Sequence, residues 1–118
     1  MRWGSRRPVD VVDETFIRAE PRAVRSALDE PGLLDGLWLG LDREVVQDRG
    51  AKGVRWRTGG EVTGRLEIWL EEISGGTIVH HFVAGEQTGG PRGWETAHRR
   101  RWKCGVHDIK DRLEGRRG

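Results

Sequence analysis

A chain of 118 residues is long enough for one domain with a real core and too short for two. Its 21 Lys and Arg against 19 Asp and Glu leave a net charge of +2, far from the positive field that nucleic-acid binding calls for. A single cysteine, Cys104, excludes an internal disulfide, and no run of about 18 apolar residues suggests a membrane span, so a cytoplasmic setting is expected.

Residues 1–8 read as a loose basic tail, with Arg2, Arg6 and Arg7 and no apolar leader core behind them. Residues 9–115 read as a single domain. Residues 9–19 form the first expected strand: Val11, Thr15 and Ile17 alternate with Val12, Glu14 and Phe16, and both faces are apolar enough to leave the inward one open. Glu20-Pro21 opens a short helix carrying Ala23, Val24, Ala27 and Leu28. Pro31-Gly32 breaks it, and Leu33, Leu34, Leu37 and Trp38 follow as a second short helix.

Residues 41–48 and 53–58 are the next strands. In the latter, Val54, Trp56 and Thr58 alternate with Arg55 and Arg57, which turns Trp56 inward. Gly59-Gly60 reads as a tight turn. Residues 61–73 are the longest strand, with Leu66, Ile68 and Leu70 opposite Arg65, Glu67, Trp69 and Glu71. The strand at 77–84 returns. With Gly75-Gly76 as a two-residue loop, Ile73 faces Ile78, Leu70 faces His81 and Trp69 faces Phe82. That puts Leu66, Ile68, Leu70, Val79, His81 and Val83 inside; a one-residue slip would exchange His81 for His80. His80 with Glu71, and Arg65 with Glu67, read as solvated pairs on the outer face.

Residues 94–113 form the expected closing helix. Trp94, Trp102, Val106, Ile109 and Leu113 fall on one stripe, which must be buried. His98, Cys104 and His107 share this helix, but they lack the spacing of a zinc site or the setting of a Cys–His nucleophile, so no metal and no cofactor are expected. Arg99-Arg100-Arg101 points in three directions and reads as a solvated face.

The stretches VDETFIRAEPRAVRSALDEP, GVRWRTGGEVTGRLEIWLEE, GTIVHHFV and RRRWKCGVHDIKDRLE resemble the START-like (SRPBCC) superfamily, in particular its polyketide cyclase/dehydrase and lipid-transport group of actinobacterial type. The resemblance implies an α+β helix-grip fold: a curved antiparallel sheet wrapped around the long C-terminal helix, with two short helices after the first strand. It implies a cavity between sheet and helix for a small hydrophobic or aromatic ligand, lipid- or polyketide-like. Trp38, Trp56, Leu66, Ile68, Leu70, His81, Trp102 and Val106 are the residues expected to line it. Five strands are fewer than the superfamily usually has. Either a further strand lies in residues 86–92, or the cavity is more open.

An imidazole in an apolar pocket suits general acid or base work, which makes His81 the candidate catalytic residue. Its structural reading is a histidine bonded to a backbone carbonyl or to Glu72. Three functions therefore stand side by side: a ligand carrier, a cyclase or dehydratase acting on a poly-keto intermediate, and a protein-interaction module without a ligand. The oligomeric state is left open.

Overall fold

The computed structural model of the chain describes residues 7–115. Strand β1 (Arg7–Ile17) leads through α1 (Pro21–Leu28) and α2 (Leu33–Leu37) to β2 (Leu41–Asp48). A single 3-10 turn, Gly50–Lys52, connects β2 to β3 (Gly53–Gly60), and β4 (Val62–Ile73), β5 (Gly76–Gln87) and α3 (Trp94–Leu113) complete the chain. The strands form one antiparallel sheet in the order β1-β5-β4-β3-β2. The α+β helix-grip architecture expected from the sequence is the one observed.

β1 begins at Arg7, so two residues assigned above to the basic tail are strand, paired with Gln87 and Glu86. The rest of that tail, residues 1–6, lies outside the described residues. The extra strand sought in residues 86–92 is the end of β5 instead. Residues as far as Gln87 stay in the sheet because β1 pairs them on one side and β4 on the other. β3 likewise includes Gly59 and Gly60, and the chain turns at Glu61.

The β4–β5 hairpin is shifted by two residues from the expected register. Its loop is Ser74-Gly75, and Ile73 pairs with Gly76, Leu70 with Val79, Trp69 with His80 and Ile68 with His81. Gly76 is a strand residue because the end of β1 lies against it: a Cβ there would stand 2.4 Å from the Ile17 carbonyl oxygen. A shift of two preserves the faces of a strand, so His81 still points inward. Farther along, Gly64 pairs with Gly85, and a Cβ on either would meet the backbone of the other strand at 2.1 Å. The two glycines let β4 and β5 approach where the sheet bends.

The inner face of the sheet is mostly apolar on the strands that α1 and α3 cover. Val9, Val11 and Ile17 of β1, Val62, Leu66, Ile68 and Leu70 of β4, and Val79 and Val83 of β5 are all buried. Opposite them α3 buries Trp94, His98, Trp102, Gly105, Val106 and Ile109. The tryptophans carry much of this interface. A Trp buries about 150–250 Å². At roughly 25 cal/mol per Å², each fully buried one contributes about 4–6 kcal/mol of transfer free energy before chain entropy is subtracted.

α3 lies toward the β1 side of the sheet, and its polar face satisfies the β1 edge. The Asp10 N–H donates to Glu95 (3.3 Å) and the Arg18 N–H to Glu114 (2.8 Å). Arg99 donates to the Asp10 carbonyl (3.0 Å), Lys103 to that of Glu14 (3.3 Å) and Lys110 to that of Phe16 (2.7 Å). An edge strand whose free backbone groups are met by side chains is closed to pairing with another strand. The opposite edge, β2, has no helix across it, and Val45 and Val46 remain exposed there. A bulge between Val45 and Gln47 breaks that edge.

Candidate functional site

Where the resemblance implies a cavity, between sheet and α3, the structure holds an aromatic cluster. Trp38, at the C-terminal end of α2, stacks on His81 with ring centroids 5.3 Å apart and planes 14° apart. Trp102 of α3 lies 4.3 Å from the same imidazole. Trp56 meets Trp38 edge-on at 5.1 Å, and Trp94 stacks on His98 at 4.7 Å. Trp38, Leu66, Ile68, Leu70, His81, Trp102 and Val106, all expected to line a cavity, are at most 3% exposed.

At the centre, His81 Nε2 and His98 Nε2 are 2.9 Å apart. His81 Nδ1 lies 3.1 Å from the backbone oxygen of Glu67, which only accepts. His81 therefore carries its proton on Nδ1 and donates to Glu67, and its Nε2 is the acceptor. His98 must then carry its proton on Nε2 and donate it to His81. This leaves His98 Nδ1 as a buried acceptor without a partner among the described residues. The backbone-carbonyl bond expected for a structural His81 is thus present; its acceptor belongs to Glu67 rather than Glu72.

The environment keeps both rings neutral. Burial pushes His81 down to about 4, with the Glu67 carbonyl opposing. Burial pushes His98 to about 3, and a charge on His81 and on Arg101 and Arg99 would push the same way. A neutral imidazole can pass a proton along such a bond, but a general base must also reach its substrate. Neither histidine lines any of the grooves described below, and Trp38 and Trp102 stand over His81.

Two side chains that were not among the expected lining complete the cluster. His98 is four residues from Trp94 and four from Trp102, so it fills the gap in the helical stripe; its polar character hid it. Asp13 alternates with Val11 and Thr15 on the inner face of β1 and pairs with His81 in register. It accepts from Trp102 Nε1 (3.1 Å), Lys103 Nζ (2.8 Å) and the Thr15 hydroxyl (3.3 Å). The second buried orphan is Trp38 Nε1–H, a donor without a partner among the described residues.

On the outer face, His80 is only 6% exposed. Trp69 covers it at 4.2 Å, and its nitrogens face Glu71 (2.9 Å) and Glu14 (3.3 Å). The solvated His80–Glu71 pair expected from the sequence is thus a covered one. Glu67 pairs with Arg55 (3.1 Å) rather than with Arg65, because Arg55 is directly opposite it on β3. Cys104 and His107 lie exposed on α3.

Open space lies beside the cluster. The inner face of β2–β3 is beyond the reach of α3, and α1 and α2 border it incompletely. A groove of about 300 Å³ results, lined by Leu28 and Leu34 on one side and Val45, Val54 and Trp56 on the other, with Arg25, Arg43, Asp29, Glu30 and Asp48 as its charged lining. Trp56 is the one residue of the expected lining that faces this groove. Arg25 is committed to structure: it binds Asp29 (3.0 Å), Asp48 (2.9 Å) and the Gly50 carbonyl (2.8 Å). Its guanidinium holds the Asp48 carboxyl down to about 2. Arg43 is less bound. It pairs with the exposed Asp35 (2.9 Å) and lies 5.4 Å from the Trp38 ring.

The order of elements, the antiparallel five-stranded sheet and the gripped C-terminal helix define the helix-grip (START-like) fold. Solved structures share this fold over nearly the whole chain. The Aha1 dimer of Colwellia psychrerythraea superposes with a TM-score of 0.70 at 18% identity, covering 93% of this chain and 99% of its own. An AHSA1-like protein of Rhizobium etli gives 0.61 at 20% identity, covering 92% and 84%. A protein of unknown function from Staphylococcus aureus gives 0.65 at 13% identity, covering 94% and 96%. No protein-family model matches the chain. No curated protein matches it in sequence. No helix among the described residues is long and apolar enough to cross a membrane.

Proposed function

We propose that the protein binds a small hydrophobic or aromatic molecule carrying an acidic group, in the groove between α1–α2 and β2–β3. The observation that carries this reading is the groove itself. Its apolar walls are Leu28, Leu34, Val45, Val54 and Trp56, and of its charged lining Asp29 and Asp48 are held by Arg25 and Glu30 by Arg112, which leaves Arg43 to meet a ligand. Its volume of about 300 Å³ lies at the lower end of small-molecule sites, which are mostly apolar with a few placed polar groups. The indole of Trp56 offers a planar wall, and Arg43 can exchange the exposed Asp35 for a ligand carboxylate. A larger ligand would need Trp38 to withdraw, exposing its indole N–H, which has no partner among the described residues, and the His81–His98 pair behind it.

The groove favours carriage over cyclase or dehydratase chemistry. The candidate catalytic residue His81 has both nitrogens engaged within the core, and Trp38 separates it from the ligand position. The test is calorimetric titration of the protein with fatty acids, aromatic carboxylic acids and polyketide-like phenols. Saturable binding is expected, weakened by Val45→Glu, which narrows the groove and repels an acid, and by Arg43→Gln for the acidic ligands alone. No binding across the panel, or binding indifferent to Val45→Glu, would overturn the reading.

A further inference from the structure

We propose that the outer face of the sheet is the contact surface for a second copy of this chain. This face is independent of the groove above, because α1, α2 and α3 all pack on the other side. Alternate positions on an exposed sheet face are ordinarily polar. Here Val12 is 52% exposed and Phe16 40%, and Phe82 lies directly opposite Val12 in register. Trp69, His80 and Phe82 form a ladder of near-parallel rings across β4 and β5, at 4.2 Å and 6.1 Å. Such a contiguous apolar stripe marks a contact surface.

The charges on either side of the stripe select the partner. The outward residues of β3 are Arg55, held by Glu67 (3.1 Å), and Arg57, which pairs with the exposed Glu44 of β2 (2.8 Å) and can exchange it; those of β1 include Asp10 and Glu14. Arg57 and Asp10 occupy the same cross-strand row, with Arg65 and Ala84 between them. A two-fold axis running along the strands between β4 and β5 lays β4 over the partner's β5 and β3 over the partner's β1. Arg57 then faces the partner's Asp10, and the reverse contact forms by symmetry, as an isologous interface requires. The rings meet in the middle. The same operation brings the partner's Phe82 above Glu67, beside a depression of about 440 Å³ lined by Val46, Arg55, Arg65, Glu67, Phe82 and Ala84. Knob and hollow are thus supplied by one surface. Twisted sheets pack face to face in this way with strands about 30° apart.

Five strands at about 4.8 Å spacing and about 3.3 Å per residue give a face of about 20 by 30 Å. That is of the order of the ~800 Å² per partner buried in a standard interface.

The test is sedimentation equilibrium of the intact chain across concentration, at low and high salt. The wild type is expected to reach a dimer. Arg57→Glu and Asp10→Arg are each expected to weaken self-association by about tenfold or more. An equimolar mixture of the two is expected to restore it, since each variant then presents the charge that the other needs. Phe82→Ser, which removes the central ring without adding charge, is expected to weaken association at any salt. Circular dichroism melts confirm that each variant is folded; if Asp10→Arg is not, Arg57→Glu and Phe82→Ser carry the test. A wild type that stays monomeric up to about 1 mM, variants that associate like the wild type, or a folded pair that mixing fails to restore would each overturn the proposal.

Discussion

The Nε2 atoms of His81 and His98 face each other at 2.9 Å across the interface between β5 and α3. It is a bond between two neutral imidazoles, and the Glu67 carbonyl sets its direction. Removing one member leaves the other buried with an unmet Nε2, at a typical cost of about 1–3 kcal/mol, and leaves a void besides. His98→Ala is therefore expected to lower the unfolding free energy by about 3–5 kcal/mol. The double change His81→Leu/His98→Leu should cost less than the sum of the two single changes, because neither side is then left with an unmatched polar atom. Urea unfolding of the four proteins in this cycle measures the difference.

The same pair makes stability depend on acid. Both histidines titrate lower in the fold, at about 4 and about 3, than the ~6.5 of an unfolded chain. Between those limits the unfolded chain binds more protons than the native one, so stability falls as pH falls. The contribution is complete above about pH 6.5, declines below it, and is gone near pH 3–4. Asp48, held at about 2 by Arg25, adds a separate decline between about pH 4 and pH 2. Thermal melts from pH 8 to pH 4 should show a progressive loss in the wild type. The double leucine variant should be visibly flatter over that range, and an equal slope would refute the role of the pair.

Much of the architecture was legible because it rests on periodicity. The bounds of α3 follow from Trp94, Trp102, Val106 and Ile109, and Gly93 and Gly115 punctuate its ends. The inward face of β4 follows from Leu66, Ile68 and Leu70. The hairpin register was not legible, because Ser74-Gly75 and Gly75-Gly76 are equally good turns, and contact with Ile17 of β1 decides between them. The cluster was legible only in part. A period reading that counts apolar residues passes over His98 and Asp13, whose polarity is tolerated because each has a partner from another element. The filling of the expected cavity was hidden for a different reason. Trp38 follows directly on a five-residue helix, and its direction depends on how α2 packs on α3.

Asp13 joins three donors from two elements, the Trp102 indole, the Lys103 ammonium and the Thr15 hydroxyl. Asp13→Asn keeps the shape but removes the charge, weakening the Lys103 bond and presenting an amide N–H where an acceptor is needed. Asp13→Ala strands the Trp102 N–H in the core. The expected losses are about 1–2 kcal/mol for the amide and about 2–3 kcal/mol for alanine. Trp102 emission should shift to the red in the alanine variant as water reaches the indole. An alanine variant as stable as the wild type would show that the Asp13 contacts are dispensable.

The approach of α2 to α3 depends on a missing side chain. A Cβ on Gly105 would lie 2.5 Å from Leu37 Cδ2 and 2.7 Å from Cδ1, so no methyl fits while Leu37 keeps its place. In an exposed helix interior, Gly→Ala gains up to about 1 kcal/mol from helix propensity. Here overpacking of about 1–3 kcal/mol opposes it, moderated because the clash is with the tip of a flexible side chain. Gly105→Ala is expected to be destabilising by about 1 kcal/mol. Combining it with Leu37→Ala, which vacates the space, should cost less than the two changes summed. Because Trp38 adjoins Leu37, the Gly105→Ala variant should also loosen the ring that closes the core over His81. Faster hydrogen exchange at the Trp38 indole N–H than in the wild type is the expected signature. An unchanged exchange rate beside a measurable loss of stability would mean that α2 and its tryptophan stay seated while the strain is taken up in α3.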